Sequence, residues 1–194
     1  MASSVPASIL EVRRIQSVDE AQLEALADVL IDCVDGGASV SFMLPMTRAK
    51  ALAFWRKVAD GVANGERVLL VAEDARGIVG TVQVILDQPE NQPHRADVAK
   101  MLVHRRGRRQ GLGAALMSAA EREAAREGKT LLVLDTSDDT AARLYARPGV
   151  RFVPIEGMAE CEVAVVHHRD APGAAANFAG VAKHVVAAQG PSPA

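Results

Sequence analysis

No stretch of the chain approaches the ~20 consecutive apolar residues that span a bilayer, which excludes a transmembrane helix. Residues 1–8 have neither a basic flank nor an apolar centre, so no secretory signal is read there and the expected location is the cytoplasm. Excess positive charge is lacking too. With 22 Lys and Arg against 24 Asp and Glu, the net charge of −2 offers nucleic acid no electrostatic footprint. Only two cysteines occur, Cys33 and Cys161, and they have no metal-ligand spacing. They read as reduced and buried, no metal is expected, and nothing beside Cys161 resembles a base-paired nucleophilic thiol. No internal repeat is present.

What is there is the composition of a globular chain: 194 residues, 49% apolar and 24% charged, enough for one compact domain and one active site. Residues 9–15 alternate apolar and polar side chains as a half-buried strand does. Ser17, with Glu20 as its capping-box partner, opens a predicted helix that runs to Val34 and stops at Asp35-Gly36-Gly37. Thr47 caps a second helix, with Ala51, Phe54, Trp55, Val58 and Val62 on its apolar side. Phe54 and Trp55 read as core rather than as a substrate platform. Two β-branched runs, 67–73 and 78–86, flank Asp74-Ala75-Arg76-Gly77 as an antiparallel hairpin, and residues 87–94 form a loop. A strand at 97–104, an alanine-rich helix at 111–127 and a strand at 130–135 come next. A short helix through Tyr145 ends at Pro148-Gly149, and strands are predicted at 150–155 and 162–168. The order β-α-α-β-β-β-α-β-α-β-β implies a mixed sheet with helices on its faces. Residues 1–168 form the single domain. Residues 169–194, rich in alanine, glycine and proline, are a loosely held tail with a marginal helix at 178–186.

The run Arg108-Arg109-Gln110-Gly111-Leu112-Gly113 lies between the strand ending in Met101-Leu102-Val103 and the helix that begins at Leu112. A glycine-rich turn entering a helix gathers backbone N–H groups around one point, where the helix dipole favours negative charge; this binds a diphosphate. Gly111 and Gly113 let the main chain approach phosphate oxygens, and Arg108 and Arg109 add charge-assisted donors at the rim. A dinucleotide fold would need G-x-G-x-x-G with an acidic ribose contact, and a nucleotide P-loop needs Gly-Lys-Ser/Thr. Neither string is present.

On these residues the sequence resembles the GNAT superfamily of N-acetyltransferases, whose signature Q/R-x-x-G-x-G/A is matched by Arg108, Gly111 and Gly113. The resemblance covers residues 9–149. It implies an α/β fold with a central mixed, largely antiparallel, splayed sheet, and acetyl-CoA as cosubstrate. The backbone of Arg109, Gln110, Gly111, Leu112, Gly113 and Ala114 would hold the pyrophosphate. Met101, Leu102 and Val103 would pair with the pantetheine arm like an added strand, and residues 36–42 would shape the acceptor pocket. More narrowly, His94-Arg95-Ala96-Asp97-Val98, Leu134-Asp135-Thr136 and Tyr145 resemble the tabtoxin-resistance acetyltransferases, which implies an amine on an amino-acid-like toxin and an antibiotic-resistance role. Family members usually show leucine, glycine and an aromatic residue after the tyrosine, where this chain reads Arg147-Pro148-Gly149-Val150. The aromatic residues expected in the final strands are also missing.

Acetyl transfer to an amine needs a proton acceptor, charge stabilisation at the attacked carbonyl and a proton donor for the departing sulfur. Asp97 is the first candidate for the base, Asp135 the second, and Tyr145 stands at the family position for the acid. A backbone N–H near Met101 or Leu102 would serve the carbonyl oxygen. His94 is either a solvent-facing loop residue or an orienter of Asp97, and the pair His167-His168 lacks a third metal ligand. The expected acceptor is a small-molecule primary amine, attacked directly, and monomer and homodimer stay open. The competing reading is a non-catalytic acetyl-CoA sensor or interaction module.

Overall fold

The alternating and β-branched runs assemble into one sheet in a computed structural model that describes residues 11–38, 40–136, 150–154 and 162–167. Its strands are β1 (Glu11–Ile15), β2 (Arg67–Asp74), β3 (Gly77–Ile85), β4 (Arg95–Val103), β5 (Leu131–Thr136), β6 (Val150–Pro154) and β7 (Glu162–His167), in the spatial order β1-β2-β3-β4-β5-β7-β6. All neighbours are antiparallel except β4 and β5. Helices α1 (Glu20–Asp35) and α2 (Arg48–Ala63) cover one face and α3 (Leu112–Arg126) covers the other. The predicted order therefore holds for every described element. The short helix through Tyr145 and the 169–194 tail lie outside the described residues.

Each helix buries the stripe that its periodicity marks. Leu23, Leu26, Leu30 and Trp55 pack with Leu69, Val71 and Leu102 of the sheet, while Leu116, Met117 and Ala120 of α3 pack with Leu70, Val82, Val84 and Val98. Thr47 caps α2 as expected. The α1 cap differs from the Ser17–Glu20 box. Asp19 accepts from the Gln22 amide at 2.8 Å and Gln22 Oε1 accepts from the Asp19 amide at 3.0 Å. A carboxylate is a stronger acceptor than a hydroxyl at the positive end of a helix, and the box moves two residues along.

Gly61, within α2, makes room for a guanidinium. A Cβ there would lie 2.5 Å from Arg67 Nε, and Arg67 Nη1 donates to Oε1 of the fully buried Gln83 at 3.0 Å. Alanine normally stabilises a helix interior by ~1 kcal/mol over glycine. Here Gly61→Ala is expected to give no such gain unless Arg67 is also shortened to Met, a coupling of about 1 kcal/mol or more in a double-mutant cycle of thermal or denaturant melts. Simple additivity would refute the packing argument.

Two irregularities of β4 prepare the site. Thr81 pairs with Leu102 but Gln83 with Ala99, so β4 carries one extra residue, and Lys100 there has a φ of 50°. A bulge of this kind swaps the faces of the residues on either side of it. Before it, Ala96 and Val98 join the α3 side; after it, Leu102 joins the α1–α2 side. Secondly, β4 and β5 pair only through Arg95, Ala96 and Asp97 against Leu131, Leu132 and Val133. Beyond that row β5 continues with β7 and β4 with β3, so the two parallel strands part at Asp97.

Candidate functional site

The gap that opens at Asp97 leads along β4 to a turn unlike any other in the described chain. After Val103 come His104, a 3-10 turn (Arg105–Gly107), and Arg109 and Gly111 with φ of 64° and 77°. Gly111 is the N-cap of α3 and supplies no side-chain cap. Among the described residues the amides of 109–114 donate no hydrogen bond, whereas Ala115 N–H already bonds Gly111 O at 3.1 Å. Six donors thus sit at the positive end of a 15-residue helix. Such a cradle fits a diphosphate and places it at the far end of the gap from Asp97.

The four arginines of this segment do different work, which the sequence reading did not separate. Arg105 N–H donates to Asp32 Oδ2 at 2.8 Å and its guanidinium to Asp32 Oδ1. Arg106 reaches back to the β2–β3 turn, donating to Ile78 O at 2.8 Å and lying 3.3 Å from Asp74. Arg108 Nε donates to Val103 O at 3.2 Å, and its Nη2 lies beside Gly36. The expectation of two rim arginines is therefore narrowed. Among the described residues Arg109 is the one of the four whose side chain has neither a hydrogen bond nor an ion pair.

Asp32 lies in the last turn of α1, with its carboxylate 10% exposed and His104 Nε2 3.6 Å away. Burial works against its charge, but the Arg105 amide and guanidinium, with His104, outweigh it and hold the carboxyl below its ordinary value of 3.8. The stabilisation this carries is complete above pH 3.8 and is lost as pH falls through the lower folded value. Cys33, one residue on, is buried, and burial pushes its thiol up while Arg108 beside it acts in the opposite sense. A raised, buried thiol is a packing residue, as expected. Cys161 lies outside the described residues.

At the other end, Asp97 shares a sheet face with α1 and α2, because Leu69, Gln83 and Ala99 are cross-strand partners and Leu69 belongs to that core. Arg95 Nε donates to Asp97 Oδ1 at 2.8 Å, and the carboxylate is about a third exposed. His94 contributes through its carbonyl, which accepts from Thr130 and Leu131 and closes β5 onto β4. Lys100 Nζ donates to Val40 O at 2.8 Å and stands 5.5 Å from the Phe42 ring, tying the α1–α2 loop to the bulge. Phe54 packs edge-on between Phe42 and the buried Trp55, the core role read for it. Met43 and Leu44 in the same loop are exposed.

Of the remaining candidates, Leu102 is buried on the α1–α2 side, and Met101 and Val103 pack partly against the α3 side. Asp135 lies on β5 opposite Val163, beyond the last residue that pairs with β4. His167 ends β7, and Tyr145 and His168 are outside the described residues. Sequence reading missed Asp32. Its signal is the acidic spacing Asp28, Asp32, Asp35 on one face of α1, opposite a basic run. No group of three His, Cys, Asp or Glu suited to a metal occurs among the described residues, nor a helix long and apolar enough to cross a membrane.

The sequence profile of the acetyltransferase (GNAT) domain matches residues 65–150, the portion that runs from β2 through the turn to the start of β6. Solved structures share the fold. The PaiA N-acetyltransferase of Thermoplasma acidophilum, in complex with coenzyme A, is 14% identical with a TM-score of 0.64, covering 82% of this chain and 99% of its own. The yncA protein of Salmonella typhimurium, solved with its cofactor acetyl-CoA, is 18% identical at a TM-score of 0.64, over 84% and 96%. The ribosomal-protein-alanine N-acetyltransferase of Brucella melitensis is 20% identical at 0.62, over 80% and 97%.

Proposed function

We propose that this protein is a GNAT-type, acetyl-CoA-dependent N-acetyltransferase acting on a primary amine of a small molecule by direct attack; the match of residues 65–150 to the acetyltransferase (GNAT) domain supports this. The observation that carries the reading is the continuity of the gap that opens at Asp97 with the six unbonded amides of residues 109–114. A pyrophosphate fits the amides, with Arg109 as the added cation, and an extended pantetheine arm fits the edge of β4 that β5 leaves open at Met101, Leu102 and Val103.

The thioester then lies toward Asp97, and the groups around it set the chemistry. Asp97, directly or through one water, takes a proton from the acceptor ammonium; Asp135 is the alternative base. The amine lone pair forms the N–C bond as the C–S bond breaks. Charge gathering on the carbonyl oxygen is met by a backbone N–H at the bulge, near Met101 or Leu102; Tyr145 gives a proton to the departing sulfur, and the second proton of the nitrogen, released as the amide forms, restores the phenol through solvent. The free thiol of Cys33 fits a reducing compartment, and we place the protein in the cytoplasm. One fold serves several acceptors, so the acceptor is argued from the site: a carboxylate at Asp97 and an apolar loop at Phe42, Met43 and Leu44 suit the amine of an amino-acid-like molecule, a toxin or antibiotic among them.

Calorimetric titration with acetyl-CoA, then thiol release with a panel of amines, tests this. Binding and release with at least one small amine are expected, and Tyr145→Phe should slow transfer about tenfold or more with affinity for acetyl-CoA nearly intact. Binding without release from any amine would favour a sensor, and failure to bind would remove the reading altogether.

A further inference from the structure

We propose that Asp32 is a positioning residue for acetyl-CoA: from the last turn of α1 it fixes the segment that launches the phosphate-binding turn, without touching the ligand. The inference rests on the cofactor reading above. One carboxylate accepts both the backbone N–H and the guanidinium of Arg105, at 2.8 Å for the amide, and faces His104 Nε2 at 3.6 Å. His104 Nδ1 accepts from the Arg106 amide at 3.1 Å, so the ring proton falls on Nε2, toward Asp32. Residues 104, 105 and 106 are thereby held by a helix on the opposite face of the sheet from α3.

The turn beyond them has little support of its own: Gln110 Nε2 donates to Arg106 O at 3.0 Å. Arg109 and Gly111 take left-handed backbone, and the amides from 109 to 114 are unbonded among the described residues. A cradle built this way keeps its shape only if both ends are anchored. The downstream anchor is α3; the upstream anchor is Asp32 together with the Arg106 bonds to the β2–β3 turn, seconded by Arg108 and the Cys33 thiol, which both donate to Val103 O. Without the upstream anchor, ordering the turn becomes part of the cost of binding, and affinity drops.

Simple electrostatics gives the opposite sign, which makes the idea decidable. Asp32 is an anion close to a site for a polyanion, so if its charge acted through space alone, Asp32→Asn would tighten binding. The positioning role requires weaker binding: about a tenfold rise in the Kd of CoA for Asp32→Asn, with Asp32→Glu within about threefold of wild type. The ratio of kcat/KM for acetyl-CoA over that for S-acetylpantetheine, a donor lacking the pyrophosphate, should fall about tenfold as well. CoA titration by calorimetry on wild type and both variants reads the first, and thiol release the second. Unchanged or tighter CoA binding by Asp32→Asn would overturn the proposal and leave acetyl transfer standing. No CoA binding by wild type would overturn both. Should Asp32→Asn fail to fold, His104→Ala, which keeps the Arg105 bonds to Asp32, should still raise the Kd severalfold, and an unchanged Kd there would overturn it.

Discussion

Asp97→Asn is expected to lower kcat/KM for acetyl transfer by about 100-fold or more, while the Kd for acetyl-CoA stays within about threefold of wild type. The substitution is chosen because it keeps shape. Asparagine preserves an oxygen for Arg95 Nε, which donates to Asp97 at 2.8 Å, and keeps the strand row in which Asp97 pairs with Ile85 and Val133. It removes the capacity to accept a proton and the charge of the Arg95 ion pair, and leaves the hydrogen bond. Location makes this residue the first choice: it stands in the last row where β4 and β5 still touch, so whatever lies in the gap between them ends beside it. Asp135, two residues past that row on β5, is measured in parallel as Asp135→Asn. Near-normal turnover in either variant would strike that residue from the mechanism.

Gly107→Val should damage the protein in a different way, lowering Tm by about 5 °C or more and raising the Kd for acetyl-CoA about 30-fold. Gly107 is buried, and a Cβ there would lie 2.5 Å from Val79 Cγ2 and 2.9 Å from Leu112 Cδ1. Val79 is fully buried in the core against α3, so Leu112 must give way. As the first residue of α3, Leu112 carries one of the unbonded amides, and its displacement opens the cradle. Melting curves and titration on the same sample check both numbers. A variant matching wild type in both would show that the turn tolerates bulk at its base.

Much of this fold is written locally. The Thr47 cap, the Asp74–Gly77 turn and the apolar stripes of α1, α2 and α3 can each be found within a few residues of sequence, and each is where periodicity put it. The site was legible where it is also local, as in Gly111 preceding Leu112. It was illegible where distance in sequence matters. The destinations of Arg105, Arg106 and Arg108 are Asp32, Ile78 and Val103, and a run of basic residues looks the same whether its charges point to ligand or to protein. The bulge at Lys100 belongs to the same class. It arises from the pairing of β3 with β4, and nothing in Val98-Ala99-Lys100-Met101 announces it.

That bulge has a bearing on how such a protein diversifies. Were β4 regular, Asp97 and Met101, four residues apart, would project to the same side. The extra residue instead sends Asp97 and Ala99 toward the α1–α2 loop and Met101 toward α3. A single strand therefore presents separate sets of side chains to the two faces of the sheet. On the roles proposed above, substitutions at 95, 97 and 99 would retune the acceptor while the donor side keeps its packing, so a change of acceptor would require no redesign of the machinery that holds the donor.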